Sequence, residues 1–302
     1  MKRVAETGKN ENGVMFALGF SAGIAASVLF NLGLALQALE ARVAPAAEGL
    51  RAALLVRLIK RPRWLIGLML GGLGVPLEIL AFANAPFVVV QPTLAVGLLV
   101  LLGLGARMLG EPVRAVTLLG VIAIIGGTAL VAWGAPSHSE THRGAVAVVG
   151  VIAALVLASL VPFPLRGTRF DTALVPNVAS ACGFAATNIA TKLMGDDLNT
   201  GHRANAVLWL GVAIVAGLVA TLTGMTALQR REATIVVPIS TAVQTFLPVA
   251  FEPLFLQERL STAELGGGVL IAGLVVMVIG TVLVARTRAV STLVAGEQPG
   301  AA

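Results

Sequence analysis

The sequence predicts an all-α polytopic membrane protein with about nine transmembrane helices in two inverted repeats. Three observations lead to this prediction: the composition, the spacing of long apolar runs, and landmarks that recur in the same order. The chain has 302 residues, of which 57% are hydrophobic and 12% charged, and its mean hydropathy is +0.92. Soluble domains carry about twice that fraction of charged residues.

Nine segments have the length and apolar character that a bilayer-spanning helix needs. A tenth segment, 43–59, contains Glu48, Arg51 and Arg57. An arginine at the centre of a span costs about 2.5–3.5 kcal/mol, so an interfacial helix over about 43–63 is predicted there, with ten spans as the alternative. The nine predicted spans are 14–38, 64–85, 86–108, 116–133, 145–161, 173–194, 204–228, 233–256 and 265–285.

These spans divide the chain into five parts. A polar segment, 1–13, precedes the first repeat, 14–134. A loop and a connector helix follow over 135–172, and the second repeat covers 173–286. The remaining residues, 287–302, are polar and rich in small side chains, and we predict a disordered tail there.

The net charge of +6 is distributed between the apolar runs and forms no single patch, which argues against nucleic-acid binding. With nine spans, most of the basic residues fall on one side, which the positive-inside rule assigns to the cytoplasm. The prediction is a multi-pass plasma-membrane protein with a cytoplasmic C-terminus. The basic residues on that side are Arg42, Arg51, Arg57, Lys60, Arg61, Arg63, Arg107, Arg114, Arg166, Arg169, Arg230, Arg231, Arg286 and Arg288.

Three pairs of landmarks indicate an internal repeat. AFANAPFVVVQP ends at Pro92 and ALQRREATIVVP ends at Pro238; LGEPVRAVTLLG and LQERLSTAELGG contain Glu111 and Glu258; GIAAS and GFAAT begin at Gly23 and Gly183. Five spans separate equivalent helices. Because five is odd, the two halves are predicted to be inverted, as in many secondary transporters.

The segment RPRWLIGLMLGG…PLEILAFANAPFVVVQPTLAVG…LGEPVRAVTLLG…GGTALVAW resembles the drug/metabolite transporter superfamily (EamA-type). Within it, the chain most resembles the NIPA-like magnesium transporters, and the resemblance extends from Val14 to Ala285. The resemblance implies transport of a small solute or Mg²⁺ without ATP hydrolysis.

Two acids lie clearly inside predicted spans, Glu78 and Glu252. Charged groups in a bilayer usually face a bundle interior or a water-filled cavity. Glu78, Asn84 and Gln91 lie on either side of the NAP turn, so we expect them to converge on one outward-facing cavity. Glu78 and Glu252 are the candidate metal ligands. The alternative for Glu78 is a protonated side chain bonded to a nearby carbonyl.

Further pathway candidates are the intramembrane amides Asn31, Asn188 and Gln244, which are otherwise interhelical contacts. Pro92 and Pro238 each remove a helix hydrogen bond at equivalent places in the repeats, and such helix breaks mark binding sites in transporters. Glu111 and Glu258, at helix junctions, are expected to be capping or ion-pairing groups.

No catalytic residues and no cofactor are predicted. The expected partners are the lipid bilayer and a small solute or Mg²⁺. A homodimer, with a second copy of the chain, is left open. Three hypotheses remain: transport of Mg²⁺ or another cation, proton-coupled import or export of a small organic metabolite or drug, and a membrane enzyme or non-transporting scaffold.

Overall fold

The computed structural model describes residues 2–85, 87–134, 145–255 and 267–286. Every regular element in these ranges is helical. The predicted disordered tail and the loop around 135–144 lie outside the described residues. The elements are α1 (Lys2–Val43), a 3₁₀ turn (Ala46–Glu48), α2 (Ala52–Ile59), α3 (Pro62–Asn84), α4 (Phe87–Met108), α5 (Ala115–Gly134), α6 (Ala145–Leu160), α7 (Pro162–Leu165), α8 (Leu174–Asn199), α9 (Arg203–Arg230), α10 (Ala233–Phe255) and α11 (Gly268–Arg286).

The long helices coincide with the predicted apolar segments, apart from α1, which begins earlier, and α8, which ends later. In the described residues, six helices are long and apolar enough to cross a membrane: Met15–Val43, Pro62–Ala81, Ala115–Gly134, Val148–Leu165, Arg203–Arg230 and Gly268–Arg286. Two shorter apolar helices cover Pro92–Met108 and Ala233–Leu247. The protein is therefore a helical membrane protein, while the count of nine spans stays a prediction.

The segment between α1 and α3 forms the 3₁₀ turn and the eight-residue helix α2. An eight-residue helix is about 12 Å long and too short to cross a bilayer. Leu54 and Leu58, one turn apart, are fully buried in the core, whereas Arg51 is exposed. Arg57 pairs with Glu48, so the charges of this segment remain at the surface.

The two predicted repeats pack their helices in the same order. In the first, α1 packs against α3 and α4, and α4 packs against α5. In the second, α8 packs against α9 and α10, and α10 packs against α11. The connector α6 packs mainly against α8. α3 contacts α4 only slightly because its small residues face α1 instead.

α5 and α11 form the most extensive contact between the two halves. Gly120 lies against Gly280 and Gly127 lies against Gly273, so the two helices run in opposite directions. A methyl group added at Gly127 would lie 2.8 Å from the carbonyl oxygen of Gly273. Glycines at these crossings allow the backbones to approach closely. We call this contact the glycine seam.

Cysteine labelling tests the nine-span topology. A cysteine introduced at Lys9, in a variant with Cys182→Ala, is expected to react with an impermeant thiol reagent in intact cells. The reason is that an odd number of spans puts the two termini on opposite sides, and the basic residues assign the C-terminal side to the cytoplasm. Labelling only after permeabilisation would instead support ten spans.

Candidate functional site

Glu78 lies on the face of α3 that contacts α1. Gly74 and Ala81 on the same face touch α1: a methyl group added at Gly74 would lie 2.7 Å from Cε1 of Phe30, and one added at Gly23 would lie 3.6 Å from Cβ of Ala81. Positions 74, 78 and 81 fall on one stripe of a helix. Glu78 is half-buried and forms no hydrogen bond or ion pair with the side chains that the structure describes. Because Gly74 lies beside Phe30 and Ala81 lies beside Gly23, Glu78 lies at the same depth as Ser27 of α1.

At the depth of Ser27, α1 is hydrogen-bonded to α4. The hydroxyl of Ser27 donates to the carbonyl oxygen of Leu94 (2.9 Å), and Nδ2 of Asn31 donates to the carbonyl oxygen of Ser27 (2.8 Å). Gly97 packs directly against both polar side chains, where a larger residue would displace them. α1 thus places Glu78 at the level of the middle of α4.

In the second half, α10 carries a polar side chain, Gln244, at the same depth. α4 ends where α10 begins, with Gly105 packed against Thr234, so the two helices run in opposite directions. Leu94 lies eleven residues before Gly105 on α4, and Gln244 lies ten residues after Thr234 on α10. The two side chains therefore lie at about the same depth. Gln244 is half-buried, and its Nε2 donates to the hydroxyl of Ser240 (3.0 Å).

α8 brings Asn188 to within about one helical turn of this level. Nδ2 of Asn177 donates to the carbonyl oxygen of Val236, so this face of α8 is directed at α10 (3.0 Å). Asn188 lies eleven residues further along, about three helical turns, and therefore on the same face. Its side chain is exposed. We call the set Ser27, Glu78, Asn188 and Gln244 the mid-membrane polar level. Ser27, Asn188 and Gln244 lie near the middle of their helices, whereas Glu78 lies six residues before the end of α3, opposite Ser27.

The other predicted pathway residues have the following positions. Asn31 is buried, and Asn84, at the end of α3, donates to the carbonyl oxygen of Leu80 (2.8 Å). Pro238 is buried and Pro92 half-buried. Gln91 and Glu252 belong to α4 and α10, but their side chains lie outside the described part of the structure, so the pairing of Glu78 with either one stays a prediction.

Sequence reasoning missed Ser27 as a polar contact of this level. Its hydroxyl is only 3% exposed and bridges two helices. Ser27 ends the GIAAS landmark, and Thr187 ends its counterpart GFAAT. Thr187 in turn lies beside Gly217 of α9. A hydroxyl at the end of both copies of the landmark was the available signal.

The arginines predicted to be cytoplasmic meet at one end of the bundle, which we call the basic end. Arg42 pairs with Glu111, Arg166 donates to the carbonyl oxygen of Ala47, and Arg231 donates to that of Ala285. A pocket of about 290 Å³ opens there, lined by Arg42, Leu109, Gly110, Glu111, Pro112, Leu228, Gln229, Arg230, Arg231 and Glu232.

Two carboxylates at the basic end are held ionised by arginine. The pKa of Asp171 is lowered because Arg230 and the backbone N–H of Gly167 both donate to its carboxylate. The pKa of Glu48 is lowered by the hydrogen bonds from Arg57. Both pairs lie outside the predicted spans, which agrees with a polar, hydrated surface at this end.

Glu111 is the buried acid of the basic end. Its side chain is 1% exposed, pairs with Arg42, and accepts hydrogen bonds from the backbone N–H groups of Ala233 (2.7 Å) and Thr234 (2.8 Å). These N–H groups lie in the first turn of α10 and have no partner within their own helix. The prediction that Glu111 is a capping and ion-pairing group is therefore confirmed.

The described residues include no cluster of three or more His, Cys, Asp or Glu side chains arranged to hold a metal ion. The side chain of Glu252 is not among the described ones. Among the described side chains, Glu78 is the acid of the mid-membrane polar level, and the oxygens of Ser27, Asn188 and Gln244 lie at a similar depth. A hydrated ion would suit such a set, because Mg²⁺ usually keeps several waters.

Comparison with known proteins found no match: no protein-family profile, no curated protein and no solved structure is similar to this chain. The resemblance to the drug/metabolite transporters and to the NIPA-like branch therefore stays a prediction from the sequence motifs.

Proposed function

We propose that this protein is a secondary transporter of the drug/metabolite transporter type, which moves Mg²⁺ or another cation through the membrane without ATP hydrolysis. The feature that supports the proposal is the mid-membrane polar level, in which both halves of an apolar bundle carry polar side chains at a similar depth. Transporters with inverted repeats bind their cargo at this depth, between the halves.

The arrangement of the helices supports inverted halves. Equivalent helices have equivalent neighbours, and the fourth helices of the two halves, α5 and α11, run in opposite directions along the glycine seam. A repeat in parallel orientation would place α5 and α11 parallel. The inverted relation predicts that α1, α3, α4 and α5 superpose on α8, α9, α10 and α11 after a half-turn about an axis in the membrane plane.

A second cargo class is favoured by one observation. Among the described residues, Glu78 belongs to no cluster of three or more acidic, histidine or cysteine side chains. A single carboxylate is sufficient to carry a proton, whereas a cation site needs several oxygen ligands. The alternative proposal is therefore proton-coupled movement of a small organic metabolite or drug, with Glu78 as the proton carrier. An enzymatic or scaffolding role is the third candidate and has no residue of the described site in its favour.

Flux measurements on the purified protein in liposomes test the proposal and separate the two cargo classes. Mg²⁺ entry would be followed with a trapped fluorescent indicator, and a panel of organic solutes by uptake, each with and without a pH gradient. Cation transport predicts Mg²⁺ flux with no imposed pH gradient. Proton coupling predicts organic solute flux that depends on the pH gradient. Enzyme or scaffold function predicts neither.

A further inference from the structure

The junction between α4 and α10 is built to place one buried carboxylate across the two halves. α4 ends at Met108, and Gly110 adopts a left-handed conformation (φ +65°). The backbone N–H of Glu111 then returns to the carbonyl oxygen of Gly105 (3.0 Å). A left-handed glycine just after a helix is a common C-terminal capping motif, and here it reverses the chain. The motif fixes where the side chain of Glu111 begins.

From that position Glu111 reaches the second half. It accepts the N–H groups of Ala233 and Thr234, at the positive end of the α10 dipole. On its other side it pairs with Arg42, whose guanidinium also donates to the carbonyl oxygen of Leu109 (3.5 Å). The carboxylate therefore ties α1 and the end of α4, in the first half, to the first turn of α10, in the second.

Neutral contacts cross the same gap nearby. The backbone N–H of Leu50 donates to the hydroxyl of Thr226 (3.0 Å), and the indole N–H of Trp64 contacts the sulfur of Met225 (3.4 Å). Hydrogen bonds to a charged group contribute more to stability than hydrogen bonds between neutral groups. Glu111 is thus the strongest described polar contact between the halves at this end.

On the side of this contact that is further from the basic end, α4 and α10 carry buried apolar side chains. Leu101 lies one turn deeper than Gly105 on α4 and is 0% exposed, and Ile235 and Ile239 on α10 are 2% exposed. A path from the basic end to the mid-membrane polar level must separate these residues. The glycine seam holds α5 and α11 together along their length, so separation of α4 from α10 at the basic end requires the bonds of Glu111 to break.

We propose that Glu111, with Arg42 and the first turn of α10, is a latch that keeps the basic end of the bundle closed in this conformation. The inference rests on the proposed transport function, because alternate opening of the two ends is what gives a latch its role. Glu111 acts on the path without touching the cargo.

Accessibility of a buried cysteine tests the latch without any cargo. A cysteine would replace Leu101 (Leu101→Cys) in a Cys182→Ala variant reconstituted in nanodiscs. The measured quantity is the rate at which this cysteine reacts with a charged thiol reagent. Glu111→Gln should increase that rate on the order of tenfold or more, since it removes the ion pair and weakens the bonds to α10. Arg42→Gln should give a smaller increase. Glu48→Gln is the control, because it breaks an arginine pair of the same end that lies within one half.

The outcome separates a latch from a structural cap. If Glu111→Gln lowers the melting temperature but leaves the reaction rate at Leu101→Cys equal to that of the control, Glu111 only stabilises the fold and the latch is overturned. If Glu111→Gln does not fold, Glu111→Asp and Arg42→Gln must still increase the rate for the proposal to stand. The proposed function fails if the wild-type protein shows no flux. The latch fails on the reaction rates at Leu101→Cys, which do not depend on any flux, so the two failures are distinguishable.

Discussion

Replacing Glu78 by Gln is expected to abolish transport while leaving the amount of protein in the membrane unchanged. Gln preserves the size and hydrogen-bonding capacity of the side chain and removes its negative charge and its titratable proton. Cation transport requires the negative charge, and proton-coupled transport requires the titratable proton, so both forms of the proposed function lose an essential property. No described group bonds to Glu78, so its replacement breaks no described hydrogen bond and little loss of stability is expected.

The repeat supports a specialised role for Glu78. The sequence landmarks pair Glu78 with Gly224, and the helix packing pairs it with Gly217, because Gly23 lies against Ala81 where Gly183 lies against Ala220. Both counterparts are glycine. A packing requirement would tend to recur in both halves, whereas a charge present in one half indicates a particular task.

The measurement is initial flux in liposomes, with Glu48→Gln as the matched control for loss of a carboxylate. For a proton carrier, the Gln variant loses the dependence on the pH gradient. For a cation ligand, it loses affinity whatever the gradient. Flux in Glu78→Gln equal to that of the wild-type protein, with the confirmed cargo, would show that Glu78 is structural only.

The second large effect is expected at the glycine seam. Gly127→Ala should destabilise the protein by roughly 1–3 kcal/mol, as overpacking of a dense interface does. The added methyl group would meet the backbone of α11, with the carbonyl oxygen of Gly273 and the N–H of Met277 both at 2.8 Å. Backbone atoms cannot move aside as the end of a flexible side chain does.

The neighbouring residue provides the control. Gly126 is exposed, and a methyl group added there would meet nothing within 4 Å. Gly126→Ala should therefore keep or raise the stability, since Ala is the better helix former by about 1 kcal/mol. Thermal unfolding followed by tryptophan fluorescence would compare the two variants. Equal melting temperatures would contradict the close packing of α5 on α11.

The helices were largely predictable from the sequence, because long apolar runs and the Arg-rich loops between them are local signals. The exclusion of 43–59 from the spans followed from the charges of Arg51 and Arg57, and the short helix α2 agrees with it. The role of Glu111 was also predictable, since an acid just after a helix and before a proline is a typical junction residue.

The site was less predictable because its geometry is tertiary. The sequence suggested that α3 folds back on α4 across the NAP turn. The glycine and alanine stripe of α3 instead packs on α1, and Glu78 reaches the level of Leu94 through Ser27. Similarly, the partner of Glu111 is Arg42, 69 residues away, rather than an arginine of its own loop. Such pairings depend on which helix faces meet, and a single sequence does not specify this.

The central claim is that water and cargo reach the mid-membrane polar level, and cysteine reactivity at that depth tests it most directly. Asn188 and Ile214 are both exposed and lie at the same depth, since Thr187 contacts the carbonyl oxygen of Ala213. Asn188 lies on the face of α8 that is directed at α10, and Ile214 lies on the outer face of α9. Each would be replaced by Cys in a Cys182→Ala variant in nanodiscs and treated with a charged thiol reagent. The account predicts rapid reaction at position 188 and almost none at position 214; equally slow reaction at both positions would contradict it.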